Sequence, residues 1–214
     1  MLCVRNRKCC GRPLISKGML DQARASARHN VARLLPFARA GVPIVGVEPS
    51  CIACFRDEYP DLLQNEAARA VAQRSLFFEE FIASLAQEKK LSLDFAAPLR
   101  PRTILVHTHC YQKAFGTAEH VLAMLRLIPG TRVEAVAGGC CGMAGAFGYE
   151  KEHYELSMAI GELSLFPAVR AAAADTIIAA AGTSCREQIK DGTRRTARHP
   201  ISILSEALQV NDGR

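Results

Sequence analysis

From Gly18 to Phe37 apolar side chains recur at Met19, Leu20, Ala23, Ala27, Val31, Leu34 and Leu35, the three-and-four spacing of one helical face. Gly41, Val42 and Pro43 interrupt it, and Ile44 to Val47 reads as a short buried strand. Helical spacing returns from near Ser50 to Leu63 and from Ala67 to Gln87. Thr103 to His107 predicts a second strand, Thr117 caps a helix to Leu127 with Pro129-Gly130 as its stop, and Val133 to Val136 predicts a third strand. Helical segments then reach Ala174, a strand follows over Thr176 to Ala180, and a last helix spans Ile201 to Leu208. Short apolar strands alternating with longer helices predict an α/β fold with mostly parallel sheets.

The pattern also repeats. Cys9-Cys10-Gly11 leads through a helix to a strand and Ser50-Cys51; Cys140-Cys141-Gly142 leads through helices to a strand and Ser184-Cys185. Cys51 stands 41 residues after Cys10, and Cys185 stands 44 after Cys141. Two pseudo-repeated α/β halves are therefore expected. The first, over 1–90, lacks the leading strand-helix unit that the second, over 103–214, has between Thr103 and Val136. The stretch 91–102, polar and then Pro-rich at Pro98 and Pro101, is the expected linker.

Composition narrows the class. With 49% hydrophobic and 22% charged residues over 214 positions, the chain resembles an ordinary folded protein rather than a disordered one. Aromatic residues are only 6% and Trp is absent, which leaves little for stacking on bases, so no nucleic-acid partner is expected. The net charge of +6 fits an acidic partner or surface. A basic run at Arg186, Lys190, Arg194, Arg195 and Arg198 is either a solvated face or a docking surface. The N-terminus leads into no apolar segment of a signal peptide, and Arg170 and Asp175 break the Ala-rich stretch from Phe166 to Ala181, so a cytoplasmic location is expected.

Nine cysteines change the picture. The number is odd, and the neighbours Cys9-Cys10 and Cys140-Cys141 are poorly placed to bridge each other. In a reducing compartment such a set points to metal. Cys110, Cys140, Cys141 and Cys185 all fall at predicted strand ends, where α/β folds build sites. Soft thiolates select zinc, Cu(I) or iron–sulfur. Adjacent cysteines suit one tetrahedral ion poorly and a multi-iron cluster better, while Gly138, Gly139, Gly142 and Gly145 let the backbone pass close. The plainer alternative is that these are small buried hydrophobes. Cys51 and Cys54, with Cys9 and Cys10, form a second and weaker candidate site, because Cys9 and Cys10 lie in a tail expected to fray. Cys51-x-x-Cys54 alone also fits a redox dithiol. His107 and His109 flank the strand end before Cys110 and are expected to hydrogen-bond the site from outside the ligand set. Lys113 could offset thiolate charge or simply be solvated.

Several segments together carry a resemblance. They are residues 9–18 (CCGRPLISKG), Val47-Glu48-Pro49-Ser50-Cys51 with Arg56-Asp57-Glu58, His107-Thr108-His109-Cys110, residues 139–150 around Cys140-Cys141-Gly142, and Ser184-Cys185-Arg186-Glu187-Gln188-Ile189. The chain resembles the cysteine-rich CCG domain of iron–sulfur oxidoreductases. Within that group it is most similar to the C-terminal region of FAD-linked D-lactate or D-2-hydroxyacid dehydrogenases. Related domains occur in the iron–sulfur subunits of glycolate oxidase and anaerobic glycerol-3-phosphate dehydrogenase and in heterodisulfide reductase. The resemblance implies an iron–sulfur cluster of the [4Fe-4S] type on Cys110, Cys140, Cys141 and Cys185, with a second site at Cys9, Cys10, Cys51 and Cys54. By position it also implies that the first Cys of a second Cys-x-x-Cys is missing, with Gly182 in its place.

The expected role is an iron–sulfur electron-transfer subunit or C-terminal fragment of an FAD-linked 2-hydroxyacid oxidoreductase, not catalytic on its own. FAD would lie on a partner flavin-containing oxidase subunit or on an upstream domain. The electron acceptor would be at the membrane, with the protein peripheral at its inner face. The alternative is a non-catalytic interaction domain in which zinc or a cluster only fixes the fold. The sequence carries no dinucleotide-binding fingerprint. The purified chain by itself is therefore expected not to reduce a dye with D-lactate or D-2-hydroxyglutarate; dye reduction without an added flavoprotein would contradict this.

Overall fold

The computed structural model describes residues 2–96 and 102–208. Of the expected linker, residues 97–101, with Pro98 and Pro101, lie outside the described residues. Two compact units divide the chain between Phe78 and Glu79.

The first unit contains α1 (Arg12–Ser16), α2 (Leu20–Arg39), β1 (Ile44–Gly46), α3 (Pro49–Arg56), α4 (Glu58–Leu63), α5 (Glu66–Arg74) and β2 (Ser75–Phe77). The apolar stripe read for α2 is the buried one: Ala23, Ala27, Val31, Leu34 and Ala38 face the core. The single helix expected over 50–63 is two, because Pro60 has no N–H to donate to the Arg56 carbonyl and the helix restarts at Glu58. The helix expected over 67–87 is also interrupted. Ser75 to Phe77 leaves it as β2 and pairs parallel with β1, Ile44 opposite Ser75 and Gly46 opposite Phe77. A three-residue apolar strand flanked by amphipathic helices has no period of its own to announce it.

The second unit follows with α6 (Phe78–Gln87), β3 (Arg102–His107), α7 (Cys110–Ala114), α8 (Ala118–Arg126), β4 (Thr131–Ala135), α9 (Tyr154–Glu162), α10 (Leu165–Ala171), β5 (Ile177–Ala180), α11 (Thr183–Thr193), β6 (Ala197–Arg198) and α12 (Pro200–Ala207). Its four strands lie in the order β4-β3-β5-β6, every pair parallel. Ile104, Leu105 and Val106 form a continuous buried run in β3, as a strand covered on both faces requires. From β3 the chain moves to β4 on one side and returns to β5 on the other. The carboxyl ends of β3 and β5 thus form the crevice at which open parallel sheets hold ligands. The short edge strand β6 has too little apolar sequence to be visible beforehand.

Phe166 on α10 is fully buried between two glycines, Gly161 of α9 and Gly192 of α11. A Cβ at Gly161 would lie 2.4–2.8 Å from three atoms of the Phe166 ring. Helix propensity favours Gly→Ala by about 1 kcal/mol, but overpacking against a ring with no free side costs about 1–3 kcal/mol, and the overlap should win. Urea unfolding of Gly161→Ala should show a net loss of stability, and the same change in a Phe166→Leu background should show a smaller loss or a gain. Equal effects in both backgrounds would contradict the packing account.

Candidate metal centre

In the first unit the Cys9-Cys10-Gly11 turn meets the start of α3. Gly11 takes φ +90° ahead of α1, a conformation that favours glycine. Cys51 and Cys54, three apart on α3, share a face. The Sγ atoms of Cys10 and Cys51 are 3.4 Å apart, and the Cys54 thiol donates to the Cys10 carbonyl at 3.3 Å. Hydrogen bonds from Cys51 and then Cys54 hold the Cys10 sulfur far below its ordinary pKa, despite burial. The same bonds, with burial and the neighbouring charge, push Cys51 and Cys54 up. Cys9 is exposed, while Cys10 and Cys54 are buried.

The Lys8–Cys10 backbone of this tail is hydrogen-bonded to the folded unit. Asn30 of α2, wholly buried, accepts from the Lys8 N–H at 2.9 Å and donates to the carbonyls of Lys8 (3.3 Å) and Cys9 (3.1 Å) and to Tyr59 Oη (2.9 Å). Tyr59 in turn donates to the Cys10 carbonyl at 3.0 Å. A charge pair between Arg12 and Glu58 lies beside this network. An Asn in the middle of a helix is the one sign of this clamp in the sequence, and nothing in its spacing says what it holds.

In the second unit three strand ends converge. His107 closes β3, and His109 caps α7, its Nδ1 accepting the Tyr111 N–H at 3.1 Å while Gln112 Oε1 accepts the His109 N–H at 3.0 Å. Gln112, fully buried, donates to Glu79 Oε2 at 3.2 Å. Cys110 opens α7 with its Sγ 3.6 Å from His109 Nδ1. After β4 the glycine turn delivers Cys140 and Cys141, and the Gly142 N–H donates to Cys140 Sγ at 3.3 Å. A Cβ at Gly142, where φ is +101°, would lie 2.1 Å from the Ser157 carbonyl oxygen, so only glycine fits the turn. Lys113 Nζ donates to the carbonyls of Gly138 and Gly139, holding this turn rather than facing a sulfur.

The sulfurs of the second unit follow one another in series, Cys110 beside Cys140, Cys140 beside Cys141 and Cys141 beside Cys185, with the ring of His107 next to the last two. Cys140 is held far below its ordinary pKa by the bond from Cys110 and then that from Cys141, and Cys185 is held down chiefly by Cys141. Cys110 and Cys141 are pushed up, each first by its bond to Cys140. The ligand atoms of His107, Cys141 and Cys185 all lie within 4.8 Å of one another, and all three residues are buried. Cys110 is exposed and Cys140 half-buried, so the site runs from the core to the surface. All nine cysteines are free, and the chemistry of this donor set, thiol and imidazole without a carboxylate, fits an iron–sulfur cluster or zinc and not a hard cation.

Helix register corrects one detail of the expected pattern. Cys51 is the third residue of α3 and Cys185 the third of α11, so Gly182, which precedes α11, corresponds to Glu48. The thiol without a counterpart is Cys54, whose position in α11 is Gln188. Gln188 is buried and donates to Ser157 at the carbonyl oxygen (3.1 Å) and Oγ (2.9 Å). Three members of the basic run are engaged within their own unit, while Lys190 and Arg194 are exposed: Arg186 donates to the carbonyls of Ala180 and Ala181, Arg195 to those of Ala172, Ala173 and Thr176, and Arg198 pairs with Glu206.

The profile of the cysteine-rich domain family CCG matches residues 2–56 and 104–190, the segments that carry both thiol groups. The chain belongs to this family. The CCG chain is 34% identical over 208 residues to a subunit of the anaerobic glycerol-3-phosphate dehydrogenase of Escherichia coli K12, covering 96% of this chain and 50% of the relative. It is 31% identical over 194 residues to D-2-hydroxyglutarate dehydrogenase of the same organism (90% of this chain, 18% of the relative) and 26% identical over 215 residues to its glycolate oxidase iron-sulfur subunit (94% and 49%). The chain thus spans half or less of the length of these relatives.

Asn30→Ala should release the Lys8–Cys9 backbone and leave Tyr59 Oη short of a partner, at a cost of about 1–3 kcal/mol. Amide exchange at Lys8 should accelerate well beyond that of the α2 amides; unchanged protection at Lys8 would contradict the clamp.

Proposed function

We propose that this chain holds iron–sulfur clusters and carries electrons within a flavin-dependent oxidoreductase that oxidises a 2-hydroxy acid or a related substrate. The single observation that supports it best is the group of free thiols at the strand ends of the second unit, with Cys141 and Cys185 buried within 4.8 Å of each other and Cys110 exposed at the surface. The likeness to a glycolate oxidase iron-sulfur subunit points the same way. An iron–sulfur cluster, when bound, accepts and releases single electrons.

The chain's own residues define how such a group would be held. Cys110, Cys140, Cys141 and Cys185 are the ligands at the second unit, and Cys9, Cys10, Cys51 and Cys54 at the first. Ligands fixed on strand and helix ends lose little conformational freedom on binding. The glycine turn at 138–142 brings backbone N–H groups close to the sulfurs, and His109 orients Cys110. The exposed Cys110 edge marks the side from which a partner's flavin would deliver electrons, and an acceptor at the membrane would receive them. Among the described residues no helix is long and apolar enough to cross a membrane.

The clamp on Lys8 and Cys9 removes the entropic reason for ranking the first site below the second. Anaerobically purified protein should contain iron and acid-labile sulfide together. Cys141→Ser and Cys51→Ser should each lose part of the iron, and the double variant nearly all of it. Zinc in place of iron and sulfide would favour a metal that only fixes the fold. Full retention of iron in both single variants would place the cluster elsewhere.

A further inference from the structure

We propose that His107 is a fifth donor of the second-unit site, its neutral imidazole binding the same metal centre as Cys141 and Cys185. The inference rests on the iron–sulfur reading and goes beyond it, because the thiols alone were assigned there.

His107 is 3% exposed and ends the central strand β3 opposite Ala180 of β5, at the carboxyl ends of the two strands. Its ligand nitrogen and the Sγ atoms of Cys141 and Cys185 lie within 4.8 Å of one another. Two sulfurs and a nitrogen on one tetrahedral metal sit about 3.5–3.8 Å apart, from metal–sulfur and metal–nitrogen bonds of about 2.3 and 2.0 Å. Small side-chain rotations close the difference.

The comparison of α3 with α11 shows where the donors of the two units differ. In the first unit one helix provides both Cys51 and Cys54. In the second, Gln188 takes the place of Cys54 and is turned toward Ser157, so α11 provides one thiol only. His107 reaches the same pair of sulfurs from the strand.

The other nearby imidazole is committed elsewhere. His109 Nδ1 accepts the Tyr111 N–H, which puts the ring proton on Nε2 and makes that nitrogen a donor rather than a ligand. The His109 ring packs on Gly182, where a Cβ would lie 2.5 Å from Cδ2 and 3.2 Å from Cys185 Sγ. The two histidines therefore differ in kind: His109 positions the loop, and His107 binds. A neutral imidazole in place of a thiolate makes the centre less negative and easier to reduce.

The test is pulsed electron paramagnetic resonance on the reduced, iron- and sulfide-reconstituted full chain, with ordinary and [15N]histidine-labelled protein. The expected result is a strong histidine nitrogen coupling that changes with the label, persists in His109→Asn and disappears in His107→Ala. His107→Cys should bind iron without that coupling and at a more negative reduction potential. If the His107 variants do not fold, the labelled wild type and His109→Asn still decide. A loaded cluster whose spectrum ignores the label, or a coupling that survives His107→Ala or vanishes from cluster-loaded His109→Asn, overturns the His107 assignment and leaves the cluster reading standing. Wild-type protein that takes up no iron and sulfide overturns both.

Discussion

Free sulfur buried at the carboxyl edge of a parallel sheet is the constraint on which the second unit depends. Cys141 and Cys185 sit in the same apolar cluster as Phe166, Met143 and Ile189. Charge on a thiolate there is costly unless another sulfur, an imidazole or a metal shares it. The sheet order β4-β3-β5-β6 places three chain segments at one crevice, and each brings a donor: Cys110 after β3, Cys140 and Cys141 after β4, Cys185 after β5. The glycine turn follows from this requirement, since a side chain at Gly142 would collide with the Ser157 backbone and move both sulfurs of the pair.

The two units meet the same requirement with different supports. In the first, a polar clamp from Asn30 and Tyr59 holds the Cys9-Cys10 segment by its backbone. In the second, His109, Gln112 and Glu79 hold the loop of Cys110, and Lys113 holds the loop of Cys140. Both arrangements fix the backbone that carries the sulfurs. That suits a centre which must change oxidation state without large movement of its ligands.

Much of this was legible in the sequence, for physical reasons. Alternating short apolar runs and amphipathic helices showed the α/β class, and β3 was visible because a central parallel strand is apolar throughout. The convergence of Cys110, Cys140, Cys141 and Cys185 could be read because strand ends share one edge in such a sheet. What escaped was set by tertiary contacts. Ser75 to Phe77 became a strand only because β1 offered it a partner. Asn30 holds the first site from the middle of a helix, where its neighbours in sequence give no hint. Gln188 matches Cys54 only once the helix starts are known, and Gly182 was assigned that gap in their absence. Arg186 and Arg195 read as a surface run, yet their guanidinium groups close carbonyls of their own unit.

The central claim is that the thiol series of this CCG chain holds iron and sulfide rather than a lone structural ion. Iron K-edge absorption of the anaerobically purified full chain tests it most directly, because it reports both the ligand atoms and the nearest metal neighbours. The account predicts a first shell dominated by sulfur together with an iron–iron scattering path, both lost when Cys141 and Cys51 are replaced together. A chain that carries only zinc, or iron without an iron neighbour, would contradict it.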